Sequence, residues 1–249
     1  MTPLPVIRGA RWWPLVVGLV VTFLLFDTVA ARLGSDRGQA GVPVCVLVVG
    51  ATLLCDRWLL GEPVARSVRW FGSPTGRGLL AALVVTVLLA LVVPAYALAT
   101  GVRVSMFPGW VALIPGLVAQ AGIAEETLFR GYLFGHLRRG RTFWRAVGLA
   151  AGPFVLVHLV LFARLPWSVA LASVLLAAIV TVPLAYAFEL GGNTIWAPAI
   201  VHAAIQGIVK VVVVEGPAMT FALVWIAASA LVPFAMLAVR RQLAAPADR

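Results

Sequence analysis

The chain has 249 residues, of which 62% are hydrophobic and only 11% charged, with a formal net charge of +10. A soluble domain of this size is nearer half apolar and a quarter charged, so the composition excludes a water-soluble globular protein and points to the membrane. The basic excess does not indicate nucleic acid, because its positions along the chain follow membrane topology, as set out below.

An apolar run of about 18 or more residues can cross the ~30 Å hydrocarbon core as a helix. Runs of this kind occupy 14–31, 42–60, 78–98, 110–137, 143–162, 167–188, 195–214 and 218–239, the fourth being apolar only as far as Ala124. They consume most of the chain. The expected fold is therefore an all-α polytopic membrane bundle of about eight transmembrane helices, forming one integral-membrane domain over 1–249.

The first run also has signal-peptide features: Arg8 and Arg11, an apolar stretch over 14–26, then Val29, Ala30 and Ala31. The apolar segments that follow, and Asp27 before the cleavage position, argue against removal. In the second run Cys45 and Cys55 have no further cysteine or nearby histidine, so they read as packing residues rather than as a disulfide or zinc framework. The stretch GEPVARSVRWFGSPTGR at 61–77 combines turn residues with Arg66, Arg69, Trp70 and Phe71, which suggests a segment lying at the membrane surface. Pro94, Pro108, Pro115, Pro153, Pro183, Pro198 and Pro233 lie in or near the spans, where they read as kinks.

With the N-terminus inside, Arg8, Arg11, Arg57, Arg66, Arg69, Arg77, Arg138, Arg139, Arg141, Arg145, Arg240, Arg241 and Arg249 fall on the cytoplasmic side. Only Arg32, Arg37, Arg103 and Arg164 fall on the other. This positive-inside bias predicts that both termini are cytoplasmic, with anionic lipid headgroups as the natural neighbours of the basic loops and no nucleic-acid partner. The Ala, Val and Arg richness, with Lys210 as the sole lysine, suggests a high-GC bacterium and hence a plasma membrane.

In a chain with nine acidic residues, Glu125 and Glu126 stand side by side in AEETLFRGYLFGHLRR, residues 124–139. An ionisable group inside a bilayer costs at least ~2.5–3.5 kcal/mol, so the pair needs partners or a wet cavity. Glu126 and Arg130 have the i, i+4 spacing of an ion pair, whereas Glu125 points about 100° away and is left facing inward. The histidines are three. His136, among arginines at the end of its helix, reads as interfacial. His158 lies deep in an apolar run, four residues after Phe154, and His202 has Gln206 four residues later on its face. By ~1.5 Å per residue, Glu125 and His158 lie about 20 Å from the cytoplasmic ends of their helices and His202 about 10 Å, a mismatch in depth. A carboxylate and a histidine can together deprotonate a water, while a second histidine and an amide can stabilise an oxyanion. The same groups could instead ligate zinc through His158, His202 and one glutamate, with the other glutamate as base. The HExxH signature is absent.

These residues resemble the three motifs of the CPBP family, the CAAX proteases and bacteriocin-processing enzymes, also called the Abi or Ras-converting-endopeptidase-like family. EETLFRGYLFGHL is similar to its EExxxR motif, FVLVH to its FxxxH motif, and TIWAPAIVHAAIQ to its HxxxN motif, in the family's order, over 110–208. The resemblance implies an intramembrane endopeptidase with its catalytic cavity between the fourth, fifth and seventh helices, acting on a membrane-associated peptide or lipidated peptide. It implies that Glu125 activates water with help from His158, that Glu126, Arg130 and Phe154 support the site, and that His202 stabilises the oxyanion. The departure is Gln206, where the family has asparagine; the extra methylene moves the amide donor by roughly 1 Å or more. The resemblance leaves open a metal-free reaction and a zinc enzyme with Glu125, His158 and His202 as ligands. Two other readings remain: a weakened family member that binds a partner or confers immunity, and a proton-coupled transporter, which would show an internal repeat that is not seen here.

Overall fold

The computed structural model describes residues 12–239. Arg8, Arg11, Arg240, Arg241 and Arg249 lie outside the described residues, as does the basic start of the signal-peptide reading. The helices are α1 (Trp13–Arg32), α2 (Gly41–Trp58), α3 (Gly76–Thr100), α4 (Trp110–Arg138), α5 (Phe143–Ala163), α6 (Trp167–Leu190), α7 (Trp196–Val211) and α8 (Ala218–Ala238). All but α7 are long and apolar enough to cross a membrane, and the all-α polytopic membrane fold expected from composition is the one observed.

The bundle is apolar outside as well as inside, as a lipid-solvated protein must be. On α3 the exposed Leu80, Val84, Val87 and Leu91 recur at steps of three and four, while Ala82, Val85 and Leu89 are buried on the other side. Inside, small residues bring backbones together without a hydrophobic driving force. A Cβ on Gly116 would lie 1.8 Å from the Gly38 carbonyl oxygen, and one on Gly122 would lie 2.9 Å from that of Ala199. The second contact seats α4 directly against α7.

The seventh expected crossing, 195–214, requires correction. α7 has 16 residues, roughly 24 Å of helix against a ~30 Å core. It begins below the surface: Ile195 is buried and its N–H donates to the Trp70 carbonyl at 2.9 Å. It ends where the β-branched run at 212–214 becomes extended. There β2 (Val212–Glu215) pairs antiparallel with β1 (Arg103–Met106), Arg103 opposite Glu215 and Met106 opposite Val212. The segment after α2 does pack across the bundle end as a short helix, Val64–Ser67, continued by a tighter turn, Val68–Phe71. Its Trp70 is buried against Gly131.

α4 is not uniformly wound. Over Val118–Ala124 and Thr127–Phe134 it opens into π-type turns, a departure that recurs at functional sites. Glu125 and Glu126 sit at the junction of the two stretches.

Candidate active site

The i, i+4 ion pair read from the sequence is formed: Arg130 Nη1 donates to Glu126 Oε1 at 3.0 Å, and both side chains are buried. The Arg130 guanidinium also lies 4.6 Å from the centre of the Phe154 ring, a cation–π contact worth about 2 kcal/mol when desolvated. Phe154 therefore supports the arginine directly, and through its carbonyl it also holds His158.

His202 reaches the same carboxylate. Its Nδ1 is 2.5 Å from Glu126 Oε1, so the ring is not the shallow group that straight-helix arithmetic suggested. The reason is the recessed start of α7, which lowers every residue on it by the thickness of the loop above. A carboxylate only accepts hydrogen bonds, so Nδ1 is the donor in this contact and Nε2 is left for a second partner. Gln206 completes the arrangement. Its Nε2 lies 2.9 Å from His202 Nε2 and 3.0 Å from Glu125 Oε1. The amide orientation follows from the partners, since only the NH2 end can serve a carboxylate and a lone pair together. The extra methylene of Gln206 thus lets it span Glu125 and His202, and both of its N–H groups are engaged. Glu125 Oε2 is 3.6 Å from His202 Nε2.

His158 stands apart. Its Nδ1 lies 2.7 Å from the Phe154 carbonyl oxygen, one turn back on α5. That bond puts the proton on Nδ1 and leaves Nε2 of the neutral ring as the acceptor. Glu125, His158, His202 and Gln206 all line one cavity of about 950 Å³, bounded by α1, α4, α5, α6, α7 and α8. The wall is wider than the expected contribution of the fourth, fifth and seventh helices. Glu126 and Arg130 lie beneath it, buried, as a support. Among the described residues no three His, Cys, Asp or Glu side chains are grouped so as to hold a metal ion, and Glu126 is already committed to Arg130 and His202. As placed here, Glu125, His158 and His202 do not form the grouped ligand set that a zinc ion takes.

Two further observations depart from the sequence reading. His136 is buried rather than interfacial. Its Nδ1 contacts the Tyr132 carbonyl oxygen at 2.7 Å and its Nε2 lies 3.0 Å from Asp56 Oδ1. Ser67 donates to Asp56, and Glu62 binds both Arg66 and Arg139. Cys45 is buried and Cys55 partly so, both unpaired as expected. The cavity also has charged wall residues that motif spacing did not single out: Asp27, Asp36, Arg164 and Lys210. Lys210 could have been found, because it lies one turn after Gln206 and two after His202 on one face of α7.

Residues 107–208 match the family described as type II CAAX prenyl endopeptidase, Rce1-like. The matched segment contains Glu125, Glu126, Arg130, Phe154, His158, His202 and Gln206. No curated protein matches the chain.

Proposed function

We propose that this chain, which belongs through residues 107–208 to the type II CAAX prenyl endopeptidase Rce1-like family, is an intramembrane endopeptidase with Glu125 as its general base. The observation that carries the reading is the contrast between two adjacent carboxylates. Glu126 is buried under Arg130 and His202 and cannot reach a substrate, while Glu125 lines the cavity, held by one Gln206 N–H.

In the proposed reaction a water in the cavity donates one proton toward Glu125 and the other O–H toward Nε2 of His158. Glu125 takes its proton as the water oxygen attacks the scissile carbonyl carbon. The tetrahedral intermediate then collapses, the C–N bond breaks, and the proton passes from Glu125 to the departing amine. Protonation removes the charge that held the Gln206 N–H, so one amide donor is released while the oxyanion exists. Gln206 thereby stabilises the transition state without offering a free donor to the ground state, while His202 fixes the amide through its other N–H. The substrate is a membrane-associated peptide, lipidated or not, and the reaction uses no metal.

The test is a single-turnover assay on membrane-tethered peptides, with Glu125→Gln as the blank and a chelator in parallel. Cleavage that survives Glu125→Gln would remove the residue from the reaction. The engagement of both Gln206 N–H groups favours one second reading, a family member that binds a peptide partner with little turnover. Peptide retention by both parent and Glu125→Gln, with no cleavage by either, would select it.

A further inference from the structure

The cavity occupies one half of the bundle. Its wall comes from the late turns of α1, α5 and α7, at Asp27, His158 and Lys210, and from the early turns of α6 and α8, at Ser173 and Ala222. Because α6 and α8 return antiparallel to the others, these are the same end of the molecule. At that end Asp36 and Arg164 are exposed and form the rim. From there burial deepens through Lys210 and Gln206, which are half-buried, to Glu125 and His202, which are buried. Phe129 and Phe154 make the floor, their ring centroids 4.6 Å apart.

The other half is closed. Every residue of α4 from Thr127 to Phe134 is buried, Trp70 covers Gly131, and the ion pairs of Asp56 with His136 and of Glu62 with Arg139 seal the end beyond it. The two ends differ in charge as well as in access. The closed end carries Arg57, Arg66, Arg69, Arg77, Arg138, Arg139, Arg141 and Arg145, and the open end carries Arg32, Arg37, Arg103 and Arg164. Arginine asymmetry of this sign assigns the closed end to the cytoplasm.

We infer that the cavity opens to the external side of the membrane, so that its substrate is a peptide segment emerging on the outer surface and not one presented from the cytoplasm. The term substrate rests on the endopeptidase reading; the sidedness rests on the cavity wall and the arginines alone. The depth fits such an occupant. Arg164 is six residues beyond His158, about 9 Å along the helix axis, which roughly three residues of extended peptide span. Water for hydrolysis enters by the same route. A lipidated C-terminus arriving from the cytoplasmic face would meet Trp70 and the sealed ion pairs instead.

The experiment uses the full chain with Cys45→Ala and Cys55→Ala in a bacterial membrane. Single cysteines are placed on the cavity wall, Ser173→Cys and separately Ala222→Cys, and at the closed end, Arg69→Cys. A membrane-impermeant thiol reagent is applied to intact cells and to inside-out vesicles. The wall cysteines should react at least tenfold faster in intact cells, and Arg69→Cys at least tenfold faster in inside-out vesicles. Wall cysteines that react from the same side as Arg69→Cys, or from neither side, overturn the inference. In a second arm the same cleavable segment is tethered on one face or the other. Cleavage of the external reporter alone, lost in Glu125→Gln, is expected; cleavage of the cytoplasmic reporter alone overturns it. Cleavage of neither, with the labelling as expected, sinks the endopeptidase reading and upholds the sidedness of the cavity.

Discussion

The molecule contains two networks of carboxylate, histidine and arginine, and they differ in what their histidines have left to offer. At the closed end, His136 places one ring nitrogen against a carbonyl oxygen and the other against Asp56. Both ring nitrogens face protein atoms, and neither lines the cavity. Around it Ser67, Glu62, Arg66 and Arg139 use up the remaining charges. At mid-bundle, His158 spends Nδ1 on the Phe154 carbonyl and keeps Nε2 as an acceptor on a cavity-lining ring, while His202 holds Glu126 through Nδ1 and the Gln206 amide through Nε2. The residue types are the same in both places. Access to water and an unspent lone pair separate a site that can do chemistry from one that fastens a loop.

The sharpest way to break this comparison is to neutralise one carboxylate from each network. Glu125→Gln should lower the single-turnover rate by roughly 10²–10⁴-fold while leaving the melting temperature within a few degrees of the parent. A parallel loss of folded protein would make Glu125 structural, like Asp56. Conversely, Asp56→Ala strips the buried Ser67 hydroxyl and His136 ring of the carboxylate they face. It should cost about 3–5 kcal/mol of stability, read by thermal denaturation in detergent, with the rate per folded molecule unchanged. Arg130→Ala belongs to both classes. It strands Glu126, with a stability loss of the same size, and it also removes activity by releasing His202.

A smaller effect sharpens the role of Gln206. Asparagine at this position matches the family motif but is one methylene too short to span Glu125 and His202 as observed. Loss of a hydrogen bond to a charged group costs about 1.5–3 kcal/mol, so Gln206→Asn should lower kcat by roughly ten- to hundredfold with KM little changed. A rise in kcat would show instead that the glutamine holds the base too tightly. The smallest expected effect is that of a chelator, which should leave the rate unchanged; a loss restored by zinc would bring Glu125, His158 and His202 together around a metal.

Much of this was legible in the sequence because it is local. Composition fixed the solvent, run lengths located the spans, and i, i+4 spacing joined Glu126 to Arg130. The depth of His202 and the burial of His136 are not local properties: both depend on the 61–77 segment, which packs across the bundle end. The contacts between Ile195 and Trp70, and between Asp56 and His136, join residues far apart in sequence, and no periodicity announces them. The strand after α7 did leave a trace, the three valines at 212–214, which an apolar-run criterion counts as more helix. The π-type turns around the glutamates, which pack against α2 and α7, left none.

The β1–β2 ladder has a mechanical consequence. It fastens the end of α3 to the end of α7 in a fixed register, and α3 also packs along α7 for much of its length. The wall bearing His202 and Gln206 is therefore braced at its tip and along its back. Among the described residues α1, on the opposite side of the cavity, packs mainly against α2 and α4, and it reaches across to Arg164 through an exposed ion pair of Asp27. Compliance is thus unevenly distributed. A bulky segment entering the cavity should displace α1 more readily than α7, so that His202 and Gln206 keep their spacing.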